Sequence, residues 1–218
     1  MRLAATVMLL RDEADRLEVL MVRRSSRSAF APDAFVFPGG TVDPADYDQQ
    51  AHGWNDRVER EFRAVVDAAL PASEPAVTRT DALALIAAAQ RELREEAAIE
   101  MPLDSLVFFS HWITPPTEPR RYNTHFFVAA AVSGARGVAD AVETHDAQWI
   151  APADALDRNA RGEMHLVYPT IKHLERLQRF SSVADALAFA RRKPIVTIMP
   201  DRAPSEGFVM PAHLEDAW

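Results

Sequence analysis

A chain of 218 residues is most simply one globular domain, long enough to bury a sizeable core without staples. It contains no cysteine, which excludes a disulfide framework and any thiolate metal site. A formal net charge of −8 argues against a nucleic-acid polymer as partner, because phosphate backbones are bound through basic surface, but leaves small anionic ligands open.

The chain opens on the apolar run Met1 to Leu10, which meets Arg11-Asp12-Glu13 at once without a small-residue cleavage site and so reads as a first strand, not a signal peptide. No apolar run approaches the roughly 20 residues of a membrane span. The expectation is a cytoplasmic protein without a membrane partner, and Leu214 to Trp218 is not a peroxisomal address. Thr6 to Leu10 and Glu18 to Arg23 read as two strands of a hairpin around a polar turn at Arg11 to Asp15. Arg23 and Arg24 close the second strand, followed by Arg27, and are candidate contacts to an anionic substrate. Ala34 to Phe37 is a third short strand leading into Gly39-Gly40, read as a glycine turn whose backbone amides can approach a phosphate.

Trp54 to Leu70 carries a helical stripe of Val58, Phe62, Val65, Val66 and Leu70, and Pro71 to Pro75 breaks it. Thr80 or Asp81 then caps a helix that runs to about Ala98. Within it, Arg91-Glu92-Leu93-Arg94-Glu95-Glu96 puts three carboxylates at i, i+3 and i+4. At 3.6 residues per turn, Glu92, Glu95 and Glu96 share roughly 100° of one face while Leu93, Ala97, Ile86 and Ala82 occupy the next. Clustered anions cost a helix a few tenths of a kcal/mol unless a cation offsets them, and hard oxygen ligands suit magnesium. The bland alternative is a solvated face with Arg91 paired to Glu95.

Downstream, Ser105 to Trp112 and His125 to Val132 read as central strands separated by the proline-bearing loop Thr114 to Pro119. Trp112 or Tyr122 are candidates to stack a base, although core packing is commoner for such residues. Arg120 and Arg121 form a second local cationic pair. Glu143 to Ile150 enters another strand, a helix begins near Ala153, Val167 to Phe180 and Val183 to Arg192 are further helices, and Pro194 to Met199 is a last strand.

The glycine pair and the carboxylate helix together resemble the Nudix box, Gly-x5-Glu-x7-Arg-Glu-U-x-Glu-Glu-x-Gly-U with U a bulky aliphatic residue. Asp46 stands where the pattern has Glu, with five residues between it and Gly40, and Ala98 replaces its last Gly ahead of Ile99. Arg91 follows Gly40 at an offset of 51 where the pattern has 14, so 37 extra residues interrupt the box. Val19 to Pro32, Phe35 to Gly40, Ser110 to Pro115, Pro119 to Thr124 and Phe126 to Val128 resemble the long-insertion branch that contains the peroxisomal coenzyme A and acyl-CoA diphosphatase. The resemblance spans roughly residues 3 to 180.

It implies a single α/β domain over 1–218, an α/β/α sandwich with a mixed sheet, a helical insertion at about 47–80 inside the box and a C-terminal helical extension at about 167–192. It further implies a hydrolase of a pyrophosphate bond in a nucleoside diphosphate linked to another moiety, first coenzyme A or acyl-CoA, with ADP-ribose or NADH as the alternative substrate and a non-catalytic binding module as the alternative class. Glu92, Glu95 and Glu96 map onto ligands of Mg2+ or Mn2+, Glu92 also onto a position that handles the water, and Arg91 onto the arginine that fixes a glutamate. Gly39 and Gly40 map onto the loop over the helix, with Arg23, Arg24 and Arg121 as candidate substrate contacts. Asp46 is shorter than the family's Glu and separated from the helix by the insertion. Glu143, Glu118 and His145 are the candidate general bases, Glu143 first. The partner is a small nucleotide-type molecule, with a homodimer by family habit. His52 and Trp54, at the start of the insertion, read as packed or exposed residues.

Overall fold

The computed structural model describes residues 1–28, 31–48, 56, 59–60, 63, 76–132, 134–135, 137, 144–203, 207–215 and 218. Strands β1 (Arg2–Glu13) and β2 (Arg16–Arg24) form the expected hairpin, but both are longer than their apolar runs. Arg11, Asp12 and Glu13, read as turn, continue the ladder as far as Glu13 opposite Arg16. The turn is only Ala14 and Asp15, at φ 47° and 62°, the left-handed pair whose twist suits a two-residue hairpin.

After β3 (Phe35–Val36) comes a correction: Gly39 and Gly40 are not a turn but lie in strand β4 (Gly39–Thr41), paired antiparallel with Thr6 and Ala5 of β1. The glycines serve close approach and not chain reversal. Helix α1 (Pro44–Tyr47) follows, and of the Trp54–Leu70 stretch only residues 56, 59, 60 and 63 are described, all helical. Helix α2 (Arg79–Ala97) starts two or three residues earlier than a cap at Thr80 or Asp81 implies. Thr78 is its cap, because Thr78 Oγ1 accepts from the Asp81 amide at 3.2 Å while the Asp81 carboxylate accepts from the Thr78 amide at 2.9 Å, a reciprocal pair that needs a three-residue spacing.

The remaining elements are β5 (Val107–Ile113), β6 (Tyr122–Ala130), β7 (Thr144–Ile150), α3 (Pro152–Ala160), α4 (Tyr168–Leu177), α5 (Val183–Arg192) and β8 (Thr197–Ile198). Contrary to expectation β8 is not the last strand: β9 (Asp201–Ala203) and β10 (Gly207–Val209) pair as a separate hairpin.

The main sheet runs β3-β2-β1-β6-β5-β8, with β4 on β1 and β7 on β2. It is mixed, since β1 pairs in parallel with β6 and β5 with β8, and the other ladders are antiparallel. Alternate residues of β1 serve two cores. Ala5, Val7 and Leu9 pack with Leu85, Ile86, Ala89 and Leu93 of α2, while Met8 and Leu10 pack with Leu174 and Leu177 of α4 and Val183 and Ala186 of α5. This is the expected α/β/α sandwich. Covering both faces explains why β1 reads as an unbroken apolar run and not as an alternating one. Trp112 is in the second core, 3% exposed and edge-on to Trp218, so it is not placed to stack a base. Among the described residues no helix is long and apolar enough to cross a membrane.

Candidate active site

The site is built where α2 crosses β4. The Gly39 amide donates to Glu96 Oε2 at 2.8 Å, tying the sheet to the last turn of the helix. A Cβ on Gly39 would lie 2.5 Å from the Ala5 carbonyl oxygen, and one on Gly40 would lie 2.2 Å from Glu92 Oε1. Both positions therefore need glycine, the first for its backbone neighbour and the second for the carboxylate resting on it.

Arg91 is the hub. Its Nε and one terminal nitrogen make a bidentate pair with the two Asp46 oxygens, each at 3.0 Å, and the same terminal nitrogen donates to the Thr41 carbonyl at 3.0 Å. Its other terminal nitrogen reaches Glu92 at 2.7 Å and Glu95 at 3.0 Å. Asp46 first, then Glu92 and Glu95, raise the Arg91 guanidinium above its already high range although burial opposes them. The fork geometry of arginine suits it to this planar carboxylate. Asp46 is thus brought back to the helix despite the insertion, in a capping turn in which the Asp43 amide donates to its carboxylate at 2.8 Å. Its shorter side chain reaches Arg91 because α1 itself lies against α2.

Glu92 and Glu96 are buried, whereas the Glu95 side chain is about half exposed, at 51%. The helix ends at Ala98, which takes the left-handed conformation (φ 54°) that the family's Gly would adopt. Its amide donates to the Arg94 carbonyl at 3.1 Å and the Ile99 amide to that of Leu93 at 3.2 Å, so the exit keeps the usual left-handed closure without glycine.

Thr144 joins this exit to the sheet, because its hydroxyl donates to the Glu96 carbonyl at 3.2 Å and its backbone stands opposite Arg24. Arg23 stands opposite Asp146 in the same ladder. Arg23 and Arg24 therefore reach the end of the sheet that meets the C-terminus of α2. Arg23 pairs with Asp33 at 2.9 Å and Arg24 donates to the Ser28 hydroxyl at 2.8 Å. Arg121 is not brought to them. It precedes Tyr122, which stands opposite Arg2, whereas Gly40 stands opposite Ala5, an offset of roughly 13 Å along the strand. Its Nε donates to the Thr114 carbonyl at 2.9 Å.

Of the candidate bases, Glu143 lies outside the described residues, as do His52 and Trp54, and the His145 side chain is likewise not described. Glu118 is engaged in an ion pair with Arg202. Among the described residues no three acidic or histidine side chains are gathered around one point as a metal cluster, since Glu92 and Glu95 turn to Arg91 and Glu96 to Gly39. The chemistry of the donors nonetheless fits a hard divalent cation: three carboxylates on one helix face, two of them buried.

Sequence reasoning missed Thr144 and the Thr41 carbonyl, which carry no local signal. It also missed a serine–histidine pair, Ser110 Oγ donating to His173 Nε2 at 2.6 Å, while His173 Nδ1 donates to the Pro169 carbonyl at 2.6 Å. Both residues are 0% exposed, and burial pulls His173 down to about 3. This is a satisfied core pair closed to substrate, not a nucleophile and its base.

A mixed sheet between helical layers, a glycine strand against a carboxylate helix, and an arginine clamping that helix to the loop define the Nudix fold. Comparison with known proteins agrees: residues 80–171 match the NUDIX domain. It is 26% identical over 173 residues to nudix hydrolase 7 of Caenorhabditis elegans, covering 74% of this chain and 56% of that protein. The chain thus spans a little over half the length of that relative. Over 30 residues it is 53% identical to an acyl-coenzyme A diphosphatase of Xenopus laevis, covering 14% of this chain and 8% of that one. Among solved structures, a NUDIX hydrolase from Alicyclobacillus acidocaldarius superposes with a TM-score of 0.65 at 25% identity, covering 86% of this chain and 96% of that one. The NUDIX domain of Shewanella oneidensis NrtR, crystallised with ADP ribose, superposes at 0.53 with 18% identity, covering 82% and 87%.

Proposed function

We propose that this chain is a metal-dependent Nudix hydrolase that cleaves the pyrophosphate bond of a nucleoside diphosphate linked to another moiety. The observation that carries the reading is the seating of Glu92 and Glu96 on Gly40 and Gly39, with Arg91 holding Glu92 and Glu95 from the side. Glu92, Glu95 and Glu96 are the residues to hold Mg2+ or Mn2+. Bound there, such an ion polarises phosphoryl oxygen and acidifies water.

The protein's own share is positioning. Arg91 fixes the rotamers of Glu92 and Glu95 through charge-assisted bonds, and the Gly39 amide fixes that of Glu96, so the carboxylates are ordered before substrate arrives. Arg23 and Arg24, at the sheet end that meets the helix exit, attract the anionic substrate, with Arg121 farther along the sheet for a more distant group. Glu92 or Glu143 takes the proton of the attacking water.

Coenzyme A or acyl-CoA is the first-choice substrate, supported by the 30-residue likeness to an acyl-coenzyme A diphosphatase at 53% identity. Cleavage of coenzyme A gives 3′-phosphoadenosine 5′-phosphate and phosphopantetheine. The test is purified protein with Mg2+ or Mn2+ against coenzyme A, acyl-CoA, ADP-ribose, NADH and diadenosine polyphosphates, with products resolved by mass. Adenosine 3′,5′-bisphosphate as product fixes the substrate and the bond, and turnover of the others without any CoA species moves the assignment to them. Silence across the panel leaves the binding-module reading. Glu96→Gln is expected to lose activity with little change in melting temperature, and full activity at limiting metal would remove Glu96 from the ligand set.

A further inference from the structure

Only two of the chain's 24 lysine and arginine residues are lysines, Lys172 and Lys193. Their surroundings are opposite. Lys172 on α4 is held by Glu175 at 2.7 Å and Glu215 at 3.0 Å. Burial pulls against its charge, but the two carboxylates outweigh it and hold the ammonium above its ordinary range.

Lys193 caps the C-terminus of α5 and is half-buried. Its Nζ lies 5.1 Å from the centre of the Phe109 ring and donates to the Pro194 carbonyl at a long 3.4 Å. Among the described residues no carboxylate pairs with it. Burial, and after it the Arg176 guanidinium, bring the amine down to about 8. That guanidinium is itself stacked 5.0 Å from the Trp218 ring and 5.9 Å from that of Phe189, so the second cation is fixed in the same aromatic wall. An amine in an apolar setting beside another cation is an activated nucleophile.

We propose that Lys193 is an acylation site, its Nζ accepting the acyl group of a small activated donor, a thioester or an acyl phosphate. The lone pair of the uncharged amine attacks the acyl carbonyl and an N–C bond forms. The C–S bond of the thioester, or the C–O bond of the acyl phosphate, breaks. Thiolate or phosphate leaves, and the surplus proton on nitrogen passes to the leaving group or to water. The amide removes a positive charge that no described carboxylate balances and that Arg176 opposes, whereas the same reaction at Lys172 sacrifices two ion pairs. Neither α2 nor β4 takes part, so the inference stands apart from the pyrophosphatase reading.

An amine with a midpoint of about 8 is uncharged in about a quarter of molecules at pH 7.5, against about one in a thousand for an ordinary lysine. Lower basicity returns part of that gain as weaker nucleophilicity, leaving about a tenfold rate advantage.

The test uses the intact chain with a chelator present, so that no metal-dependent turnover consumes the donor. Acetyl-CoA is supplied in one arm and acetyl phosphate in the other, between pH 6.5 and 10, and acetylation of each lysine is read by peptide mass spectrometry. Lys193 is expected to react at least about tenfold faster than Lys172 at pH 7.5, with a rate midpoint near 8, and to keep that reactivity in Lys172→Arg. Reaction in one arm alone supports the site and identifies the donor. Equal rates, preference for Lys172, a Lys193 midpoint near 10, or no acetylation in either arm would overturn it.

Discussion

Arg91→Met, Asp46→Asn and the double variant test the clamp that reunites the two halves of the interrupted box. The Asp46 side chain is 1% exposed and that of Arg91 15%, so solvent screens their pair poorly. Removing the guanidinium leaves the Asp46 carboxylate buried with the Asp43 amide as its hydrogen-bond partner. Breaking a buried pair by deleting one partner costs about 3–5 kcal/mol. In a domain of this size that is about 6–20 °C of melting temperature, at about 2–4 °C per kcal/mol. Asp46→Asn keeps an acceptor for Asp43 and leaves Arg91 with Glu92 and Glu95, so its cost is about 1–2 kcal/mol. In the double variant no buried charge is stranded, and the cycle should show a coupling of about 2 kcal/mol or more. Urea unfolding at pH 7.5 measures all three. A cost below about 1 kcal/mol for Arg91→Met, or simple addition of the single effects, would refute the clamp.

Ala98→Gly should stabilise the fold by about 1 kcal/mol, because a left-handed non-glycine residue costs about that much; a thermal melt that does not rise contradicts the reading. Gly39→Ala drives a Cβ into the Ala5 backbone and should destabilise strongly, whereas Gly40→Ala displaces only the Glu92 carboxylate and should fold but lose turnover. Equal melting temperatures for the two variants would count against this division. Stability should also fall on acidification. Burial holds His125 well below its ordinary value and His173 down to about 3. The unfolded chain therefore binds protons below about pH 6.5 that the folded one does not, and each such histidine costs about 1.4 kcal/mol per pH unit from there down to its folded value. Urea midpoints that stay flat between pH 7 and 5.5 would exclude this.

Helix α2 was legible because its signal is local: a 3.6-residue apolar period and three carboxylates on one face fall within one segment, whereas its cap proved to be Thr78 and not Thr80 or Asp81. The glycine pair was legible as a close approach but not as a strand, since β4 pairs with Thr6 and Ala5, more than thirty residues away, and nothing local reports such a partner. Asp46 was undervalued for the same reason. Its spacing from Gly40 matched the pattern, but only the packing of α1 on α2 shows that the inserted residues leave its distance from Arg91 unchanged. Thr144, the Ser110–His173 pair and the half-buried Lys193 arise from contacts between segments distant in sequence, and periodicity has no access to those.

The clamp also explains how a box can hold an insertion of this length. Both margins of the inserted segment are held: Asp46, just before it, is bonded to Arg91, and at its two ends the Tyr47 hydroxyl donates to Asp81 at 2.9 Å and Val77 is buried in the α2 core. The ends are therefore close together, and the cost of the intervening chain grows only slowly with its length. Replacing residues 49–75 by about six glycine and serine residues shortens the loop by about two doublings, which returns about 1 kcal/mol of closure entropy if the segment adds no packing of its own. The shortened chain is accordingly expected to fold, to melt no lower than the parent by more than about 3 °C, and to retain the Arg91–Asp46 coupling. Failure to fold, or a loss above about 2 kcal/mol, would show that the inserted residues contribute to the core. A variant that keeps its stability but changes its KM would show that they act on the substrate instead.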